Sequence, residues 1–288
     1  MQEKSLEALF SDVEETGLLT LYGKAIESQS DNPILDDPVA VAMTKKLDPI
    51  LAQSESRLLR RLYKRKIDPR LVVHVALRAK KYDAYARDFQ SRYTDTAIIN
   101  IGCGLDPRFQ RIDNGSVWFF DLDLPEVIRF KQALLKESDR YKMVASNVFD
   151  VAWMGEVKKS DAKHWMFMAE GVLMYLQPEK VKKLVLDLQA QFPGSELVCE
   201  VVKKSWTYGM MQKMAAMKMK KRFNIGDAAG YQFGLDTPTE MESWQDGIEF
   251  LDAWSYFDSN HKRLGMMRMF RKSQYFRETQ YTVHYRLR

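Results

Sequence analysis

The chain has 288 residues, of which 45% are hydrophobic and 12% aromatic, and its formal net charge is +5. This composition allows one large buried core, and it excludes a disordered chain. The two cysteines, Cys103 and Cys199, lie far apart in apolar segments, which excludes a disulfide framework and indicates a reducing compartment. No apolar run is long enough to span a bilayer and residues 1–5 do not resemble a secretory signal, so we expect a cytoplasmic protein. The mild positive charge permits a nucleic-acid partner without requiring one.

Residues 1–93 are predicted to be helical and to form an N-terminal cap on the fold that follows. Apolar side chains recur at helical spacing from Leu6 to Val13, and again over residues 18–27. Pro38 is placed to begin the next helix, because proline suits the first helical turn.

Two Asp-Pro pairs are expected to mark helix boundaries in the rest of this segment. Asp48-Pro49 is predicted to interrupt the helix that begins near Pro38, because proline lacks the amide donor and clashes with the preceding turn. Asp68-Pro69 introduces the longest helical candidate, residues 70–92. Its apolar positions recur at helical spacing, which predicts a helix packed along one side.

Residues 94–204 alternate between short apolar strands and helices, which predicts a mostly parallel sheet covered on both faces. The predicted strands are residues 97–101, 117–121, 142–145, 165–170 and 196–202. Residues 247–257 and the alternating segment 280–288 are expected to be closing strands. All 288 residues are therefore interpreted as a single domain: the cap, this core, a lid or substrate region at 205–249, and closing strands at 250–288.

Residues 210–222 predict an amphipathic helix within the lid region, with methionines on one side and cations toward its end. We interpret it first as a surface helix whose methionines form an adaptable face toward the core. A lid that adapts to a substrate is the alternative.

Residues 97–108 are the most informative stretch, because a β-branched apolar strand runs there into a glycine turn and the start of a helix. Gly102 and Gly104 lack the Cβ atoms that would keep a ligand away from the backbone. A second apolar strand ends near Asp121 and Asp123, a position suited to hydrogen bonds with ribose hydroxyls. The two features together predict a site for a nucleotide-like ligand.

Asp106 stands where a dinucleotide-binding turn would receive a pyrophosphate, and the third glycine of that fingerprint is missing. A carboxylate repels phosphate and tolerates cations. The turn therefore favours S-adenosylmethionine, whose ammonium and sulfonium groups are positive, over NAD. A Gly-x-Gly turn alone is a weak signal, and a tight turn without a ligand is the simpler alternative.

With these elements in place, the chain resembles the leucine carboxyl methyltransferase-like family of S-adenosylmethionine-dependent O-methyltransferases, in particular its bacterial polyketide and small-molecule branch. The resemblance covers nearly the whole chain. It rests on LYGKAIES at 21–28, RAKKYD at 78–83, IGCGLDPR at 101–108, DLDLPEVI at 121–128, NVFD at 147–150 and AEGVLMYL at 169–176. It implies a Rossmann-like class I methyltransferase fold: a mostly parallel seven-stranded α/β sheet with helices on both faces, an N-terminal helical cap and a helical lid insertion.

The resemblance also implies which residues bind the methionine part of S-adenosylmethionine. The backbone at Gly102 and Gly104 would lie against it, and Arg78 would pair with its carboxylate. Lys24 would add a second contact to that carboxylate.

For the adenosine part, the resemblance implies that Asp123 holds the ribose, with Asp121 as the alternative. Asn147 and the backbone of Val148 would meet the adenine edge. Asn147 stands where the family often has an acidic residue, but its amide can still accept a hydrogen bond from the adenine amino group. Pro107 stands where threonine is common, and neither change removes a required charge.

Glu170 and Tyr175 are the candidate catalytic residues, and Glu170 would lie beneath the donor at the end of the fourth strand. Because an apolar strand precedes Glu170, its ionised carboxylate needs a partner or a cationic ligand. Its alternative role is a strand cap bonded to backbone amides. Tyr175 could orient the oxygen of a nucleophile or simply pack at a helix start. Arg78 could instead be an exposed cation in a run with Lys80 and Lys81.

The expected reaction is in-line transfer of a methyl group from S-adenosylmethionine to a carboxylate or hydroxyl of a small molecule. Histidine and cysteine spacings indicate no metal site, and no motif for hydrolysis is present. One alternative is a nucleic-acid (RNA) methyltransferase, suggested by the basic cluster at 218–222, although the chain lacks an Asn/Asp-Pro-Pro-aromatic segment after the fourth strand. The other alternative is a module that binds S-adenosylmethionine without catalysing a reaction. Neither the oligomeric state nor the use of a general base follows from the sequence.

Overall fold

The computed structural model describes residues 12–223 and 230–288. Within them, one sheet contains β1 (Thr96–Ile101), β2 (Trp118–Asp123), β3 (Tyr141–Ala145), β4 (His164–Ala169), β5 (Ser195–Lys203), β6 (Gly234–Leu235), β7 (Ile248–Trp254) and β8 (Gln280–Leu287). The strand order is β3-β2-β1-β4-β5-β8-β7, and the short β6 pairs with β5 beside this path. Strands β1 to β5 are parallel, whereas β8 runs antiparallel between β5 and β7. The predicted mostly parallel α/β sheet is confirmed, and β6 adds one strand to the expected seven.

Four helices precede the sheet in the described part of the chain. They are α1 (Asp12–Ser28), α2 (Pro38–Gln53), α3 (Arg57–Tyr63) and α4 (Pro69–Arg92). The Asp37 carboxylate accepts the Ala40 N–H at 2.9 Å, and the Asp68 carboxylate accepts the Arg70 N–H at 2.9 Å. These side chains cap the two helices whose starts the prolines predict. The predicted apolar spacing around Leu6 lies outside the described residues.

The predicted interruption at Asp48-Pro49 is wrong, because α2 continues through Pro49. Proline removes one helical hydrogen bond and costs about 3 kcal/mol within a helix. Tertiary contacts hold the segment in place: the Asp48 carboxylate accepts two hydrogen bonds from Arg65, at 2.8 and 2.7 Å, and one from the Tyr22 hydroxyl at 2.9 Å. Leu47 and Leu51 are also fully buried on either side.

Helices cover both faces of the sheet, as predicted. The crossover helices are α5 (Arg108–Ile112), α6 (Pro125–Leu134), α7 (Ala152–Val157) and α8 (Pro178–Gln191). On one face, Phe89 of α4 packs in a cluster with Ile98, and α5 and α6 extend that cluster. On the other face, Trp153 of α7 and Leu188 of α8 share a cluster with Ile99. Successive residues of β1 thus point to opposite layers.

The remaining elements follow β5. They are the helices α9 (Gly209–Phe223) and α10 (Gln274–Arg277), and 3-10 turns at Lys204–Thr207, Glu240–Ser243, Tyr256–Asp258 and Lys262–Lys272. One further 3-10 turn, Leu173–Tyr175, lies between β4 and α8. None of the helices that the structure describes is both long and apolar enough to cross a bilayer.

The expected core-facing methionine side of α9 is wrong. Met210 is 77% exposed and Met217 is 66% exposed. The half-buried residues of the helix include Met211, Ala216 and Gln212, and the Gln212 side-chain amide donates to the Tyr231 carbonyl at 3.1 Å. The 210–222 segment is helical as predicted, but side-chain size and spacing alone did not show which side faces the protein.

Candidate functional site

A glycine turn follows β1 at the carboxyl edge of the sheet. Gly102 has φ +62° and Gly104 has φ +49°, in the left-handed region that favours glycine. A Cβ atom on Gly102 would lie 2.4 Å from Cγ2 of Val172, in the loop after β4, whereas one on Gly104 would meet nothing within 4 Å. Gly102 therefore lets two loops approach closely, and Gly104 leaves open space beside the turn.

Asp123 connects this turn to the end of β2. Its Oδ2 accepts the Gly104 N–H at 2.8 Å, and its Oδ1 accepts the Leu124 N–H at 2.8 Å. Partial burial raises the pKa of this carboxyl. Two backbone hydrogen bonds leave acceptor capacity on both oxygens. The Asp123 carboxylate is thus held rigidly at the edge of the sheet and can accept further donors.

Asp121 occupies a different environment, only 1% exposed. Its carboxylate accepts Asn100 Nδ2 at 2.9 Å, the Tyr141 hydroxyl at 2.6 Å and Lys131 Nζ at 2.7 Å. Asp121 therefore joins β2 to its two neighbouring strands and to α6 inside the protein.

A buried group of charged side chains, which we call the ionic cluster, lies beneath the glycine turn. It consists of Lys24, Arg78, Arg108 and Arg111 with Asp37, Asp83, Asp106, Glu170 and Glu200. So defined, the cluster contains four cations and five carboxylates. It connects α1, α4, α5 and the ends of β1, β4 and β5 through ion pairs.

Asp106 is bonded to the protein's own cations. Its carboxylate lies 2.8 Å from Lys24 Nζ and 3.0 Å from both Arg108 and Arg111. Burial opposes ionisation, but these three cations outweigh it and hold the pKa of Asp106 well below its usual range. The expectation that the Asp106 charge acts directly on a ligand therefore has to be corrected. Lys24 is itself only 2% exposed, and burial lowers its pKa.

Glu170 lies immediately after β4 and is held by two arginines. Arg78 Nε donates to its carboxylate at 2.8 Å, and Arg108 forms a short second bond. Although burial opposes ionisation, these guanidinium groups lower the pKa of Glu170 to about 2. Arg78 also donates to Glu200 at 2.8 Å. The alternative interpretation of Arg78 as an exposed cation is therefore wrong. The alternative role of Glu170 as a strand cap required bonds to backbone amides, whereas the observed partners of its carboxylate are Arg78 and Arg108.

Asn147 and Val148 follow β3 on the same edge of the sheet. Asn147 is exposed, and its side-chain oxygen accepts the Phe149 N–H at 3.0 Å. The Val148 carbonyl accepts the Trp153 indole N–H at 3.0 Å. Since β3 pairs with β2, these residues lie beyond the strand end that carries Asp123.

Tyr175 lies in the 3-10 turn after β4 and is 38% exposed. Its ring centroid is 5.6 Å from that of Tyr231, at an angle of 36°. Desolvation of the hydroxyl, together with the nearby Glu200 charge, raises the pKa of Tyr175 to about 12. The phenol therefore stays protonated at neutral pH.

The sequence analysis did not assign Asp83, Arg108, Arg111 or Glu200 to the site. Asp83 carried a usable signal, because it falls at helical spacing within the buried stripe of α4. Glu200 interrupts the apolar strand β5, which is the same kind of signal. Arg108 and Arg111 lie on the short α5, where no periodicity indicates burial.

The sheet order, the glycine turn after β1 and the acidic residue ending β2 are those of a Rossmann-like α/β fold that binds its ligand at the carboxyl ends of the strands. The chain belongs to the leucine carboxyl methyltransferase family, whose model matches residues 17–189, more than half of its length. S-adenosylmethionine is accordingly its cofactor.

The chain is similar to two named methyltransferases and to one solved structure. The chain is 26% identical to the tetracenomycin polyketide synthesis O-methyltransferase TcmP of Streptomyces glaucescens, over 86% of this chain and 84% of that protein. It is 24% identical to the S-adenosyl-L-methionine-dependent methyltransferase dpfgK of Gibberella zeae, over 88% and 85% respectively. Among solved structures, an O-methyltransferase family protein from Burkholderia thailandensis is similar at 12% identity, 90% and 73% coverage, and a TM-score of 0.47.

Proposed function

We propose that this enzyme transfers a methyl group from S-adenosylmethionine to a carboxylate or hydroxyl oxygen of a small molecule. The observation that carries the proposal is the 2.8 Å hydrogen bond from the Gly104 N–H to Asp123, which joins the ends of two adjacent parallel strands. Ligands of open α/β sheets bind at such strand ends, near the point where the strand order reverses. The printed name of the TcmP relative supports oxygen as the accepting atom.

The residues present fit the adenosine part of the cofactor. Asp123 is our candidate for the ribose, because its carboxylate keeps acceptor capacity at the sheet edge. Asp121 is the weaker candidate, since three protein donors already bond to it in the interior. Asn147 and the backbone at Val148 are our candidates for the adenine edge.

The methionine part of the cofactor would lie against the turn at Gly102 and Gly104, where the missing Cβ of Gly104 leaves open space. Arg78 is our candidate for its carboxylate, because a guanidinium has five N–H donors and the Glu170 and Glu200 bonds use two of them. Lys24 is the weaker candidate because it is buried against Asp106.

The chemistry needs little from the protein beyond positioning, because the bound cofactor supplies a methyl group on an already activated sulfonium. Glu170 supplies a fixed negative charge, since the pKa of about 2 keeps it ionised at neutral pH. Tyr175, whose pKa is about 12, donates a hydrogen bond to the acceptor oxygen and orients it. A carboxylate acceptor needs no general base.

Calorimetry with S-adenosylmethionine and S-adenosylhomocysteine, followed by an assay for S-adenosylhomocysteine release, tests the proposal. Panels of carboxylic acids, phenols and amines should give methyl esters or ethers and leave the amines unmodified. Methylation restricted to amines would overturn oxygen as the acceptor. The absence of binding heat with both ligands would overturn the proposed site.

A further inference from the structure

Glu200 of β5 has one cationic partner in the ionic cluster, and it shares that partner with another carboxylate. Its Oε2 accepts Arg78 at 2.8 Å, and its Oε1 accepts the neutral side chain of Gln280 at 2.7 Å. Arg78 is shared with Glu170, which has Arg108 as a second cation. Glu200 is only 3% exposed, so water screens its charge weakly.

The proposed cofactor site at the carboxyl edge of the sheet, which we call the cleft, is bordered by the loop after β4, because Val172 of that loop packs against Gly102. Gly171 in the same loop has φ +71°, and a Cβ atom there would lie 3.4 Å from both Arg78 Nη1 and Glu200 Oε2. Gly171 itself is partly exposed. The partly exposed backbone of Gly171 therefore lies directly against the Arg78–Glu200 ion pair.

The charges of the ionic cluster do not cancel when all of its members are ionised. The five carboxylates exceed the four cations by one negative charge, and the adjacent Lys131–Asp121 pair is neutral as a unit. Burial raises the pKa of Glu200, and the neighbouring Glu170 charge adds to this effect. A cation bound in the cleft would offset this excess negative charge at Glu200, whose single arginine is shared with Glu170.

We propose that Glu200 is a positioning and specificity residue that makes the cleft favour the cationic methyl donor over its neutral demethylated product, an inference that rests on the proposed function. S-adenosylmethionine has a net charge of +1 from its sulfonium, ammonium and carboxylate, whereas S-adenosylhomocysteine is neutral. Methyl transfer to a carboxylate breaks the C–S bond of the donor, forms an O–C bond and leaves a neutral thioether and a neutral ester, whereas a hydroxyl acceptor also releases its proton. The positive charge of the donor is therefore lost in the reaction, so Glu200 no longer favours the ligand that remains bound.

Several titratable or charged groups surround Glu200, and they come from each element packed against it. These are Arg78 and Tyr82 of α4, Glu170 and Tyr175 after β4, Cys199 of β5, and Tyr231. Burial raises the pKa of the tyrosines and of the thiol, which keeps them neutral, and the pKa of Glu170 is about 2. Glu200 is thus the carboxyl of this group whose pKa is raised, and its negative charge is gained as the pH rises.

The test is calorimetric titration of the full chain with S-adenosylmethionine and, separately, S-adenosylhomocysteine, from about pH 5.5 to about pH 8.5. In the unmodified enzyme, donor affinity should rise with pH while product affinity changes less than about twofold. Glu200→Gln should weaken the donor about tenfold and the product less than about twofold, and should remove the pH dependence.

Glu196→Gln is the matched control, because Glu196 lies on the same strand and is also bonded to an arginine of α4. It should leave the ratio of the two affinities unchanged. Equal weakening of both ligands by Glu200→Gln, or an equal change of the ratio in the control, would overturn the inference. If Glu200→Gln does not fold, the unmodified enzyme by itself tests the inference. A ratio of donor affinity to product affinity that does not change with pH would then overturn the inference but not the proposed function. Failure of either ligand to bind the unmodified enzyme would instead overturn the proposed function and this inference with it.

Discussion

Two glutamates on β5 show how the two ends of the sheet differ. Glu196 and Glu200 lie four residues apart on the same face of the strand, and both are buried. At the amino end, Arg92 holds Glu196 through two bonds of 2.7 Å. His284 at 2.9 Å and Arg286 at 3.2 Å complete its partners. These partners lower the pKa of Glu196 despite its burial.

At the carboxyl end, Glu200 shares Arg78 with a second carboxylate and has a neutral amide from β8 where Glu196 has a histidine. The same strand, helix and neighbouring strand thus supply both sites. One site is fully paired within the protein, which suits a structural role. At the other site, Glu200 shares its arginine with Glu170, which leaves excess negative charge beside the cleft and suits ligand binding.

Gly102→Ala at the carboxyl edge is expected to have the largest effect on stability and cofactor binding, and it would sharpen this contrast. The new Cβ would lie 2.4 Å from Val172 in a backbone conformation that disfavours side chains. We expect a loss of roughly 3 kcal/mol or more in the free energy of unfolding and no measurable cofactor binding by calorimetry. Gly155→Ala in α7, where a Cβ meets nothing within 4 Å, is the control and should bind normally. Normal cofactor binding by the Gly102→Ala variant would show that the glycine turn is not part of the binding site.

The two aspartates of β2 should separate stability from binding. Asp121→Asn leaves the fully buried Lys131 without its carboxylate, so we expect a loss of about 3 kcal/mol in urea unfolding. Asp123→Asn should instead weaken cofactor binding about tenfold and barely change the unfolding midpoint. The reverse pattern would assign the ribose to Asp121.

Acid should weaken the carboxyl edge through Glu170. Its folded pKa, about 2, lies below the ordinary 4.5, so its stabilisation is complete above about pH 4.5 and is lost as the pH falls toward about 2. This contribution is on the order of 3 kcal/mol. In urea unfolding across this range, the difference between the unmodified enzyme and Glu170→Gln should shrink as the pH falls. A constant difference would contradict the lowered pKa.

At the amino end, Glu196→Gln should cost about 1 to 2 kcal/mol of unfolding free energy, because its arginine partners are partly exposed and screened. Cofactor affinity should not change. Weakened cofactor binding in this variant would remove the contrast between the two ends of β5.

The smallest effect is expected from Tyr175→Phe, which removes one hydrogen bond to the acceptor. Turnover with the best acceptor should fall about fivefold, while cofactor affinity measured by calorimetry stays constant. Tyr231→Phe is a matched control on the neighbouring ring. Equal turnover in Tyr175→Phe and the unmodified enzyme would leave Tyr175 with a packing role.

Local features of the chain were sufficient to predict strands β1 to β5, their parallel arrangement and the glycine turn after β1. These depend on residues that are neighbours in sequence, such as Ile101 beside Gly102. The Asp48-Pro49 prediction failed because the contacts that keep α2 intact come from Tyr22 and Arg65, on other helices.

The ionic cluster depends on residues that meet only when the helices dock on the sheet. Arg78 lies 92 positions before Glu170 and 122 before Glu200, and no local pattern specifies such a pairing. The direction in which the α9 methionines point is likewise set by what packs beneath the helix. Short-range sterics and hydrophobic periodicity in the sequence therefore determine the fold of this enzyme. The charge balance of its site is determined only when the helices pack against the sheet.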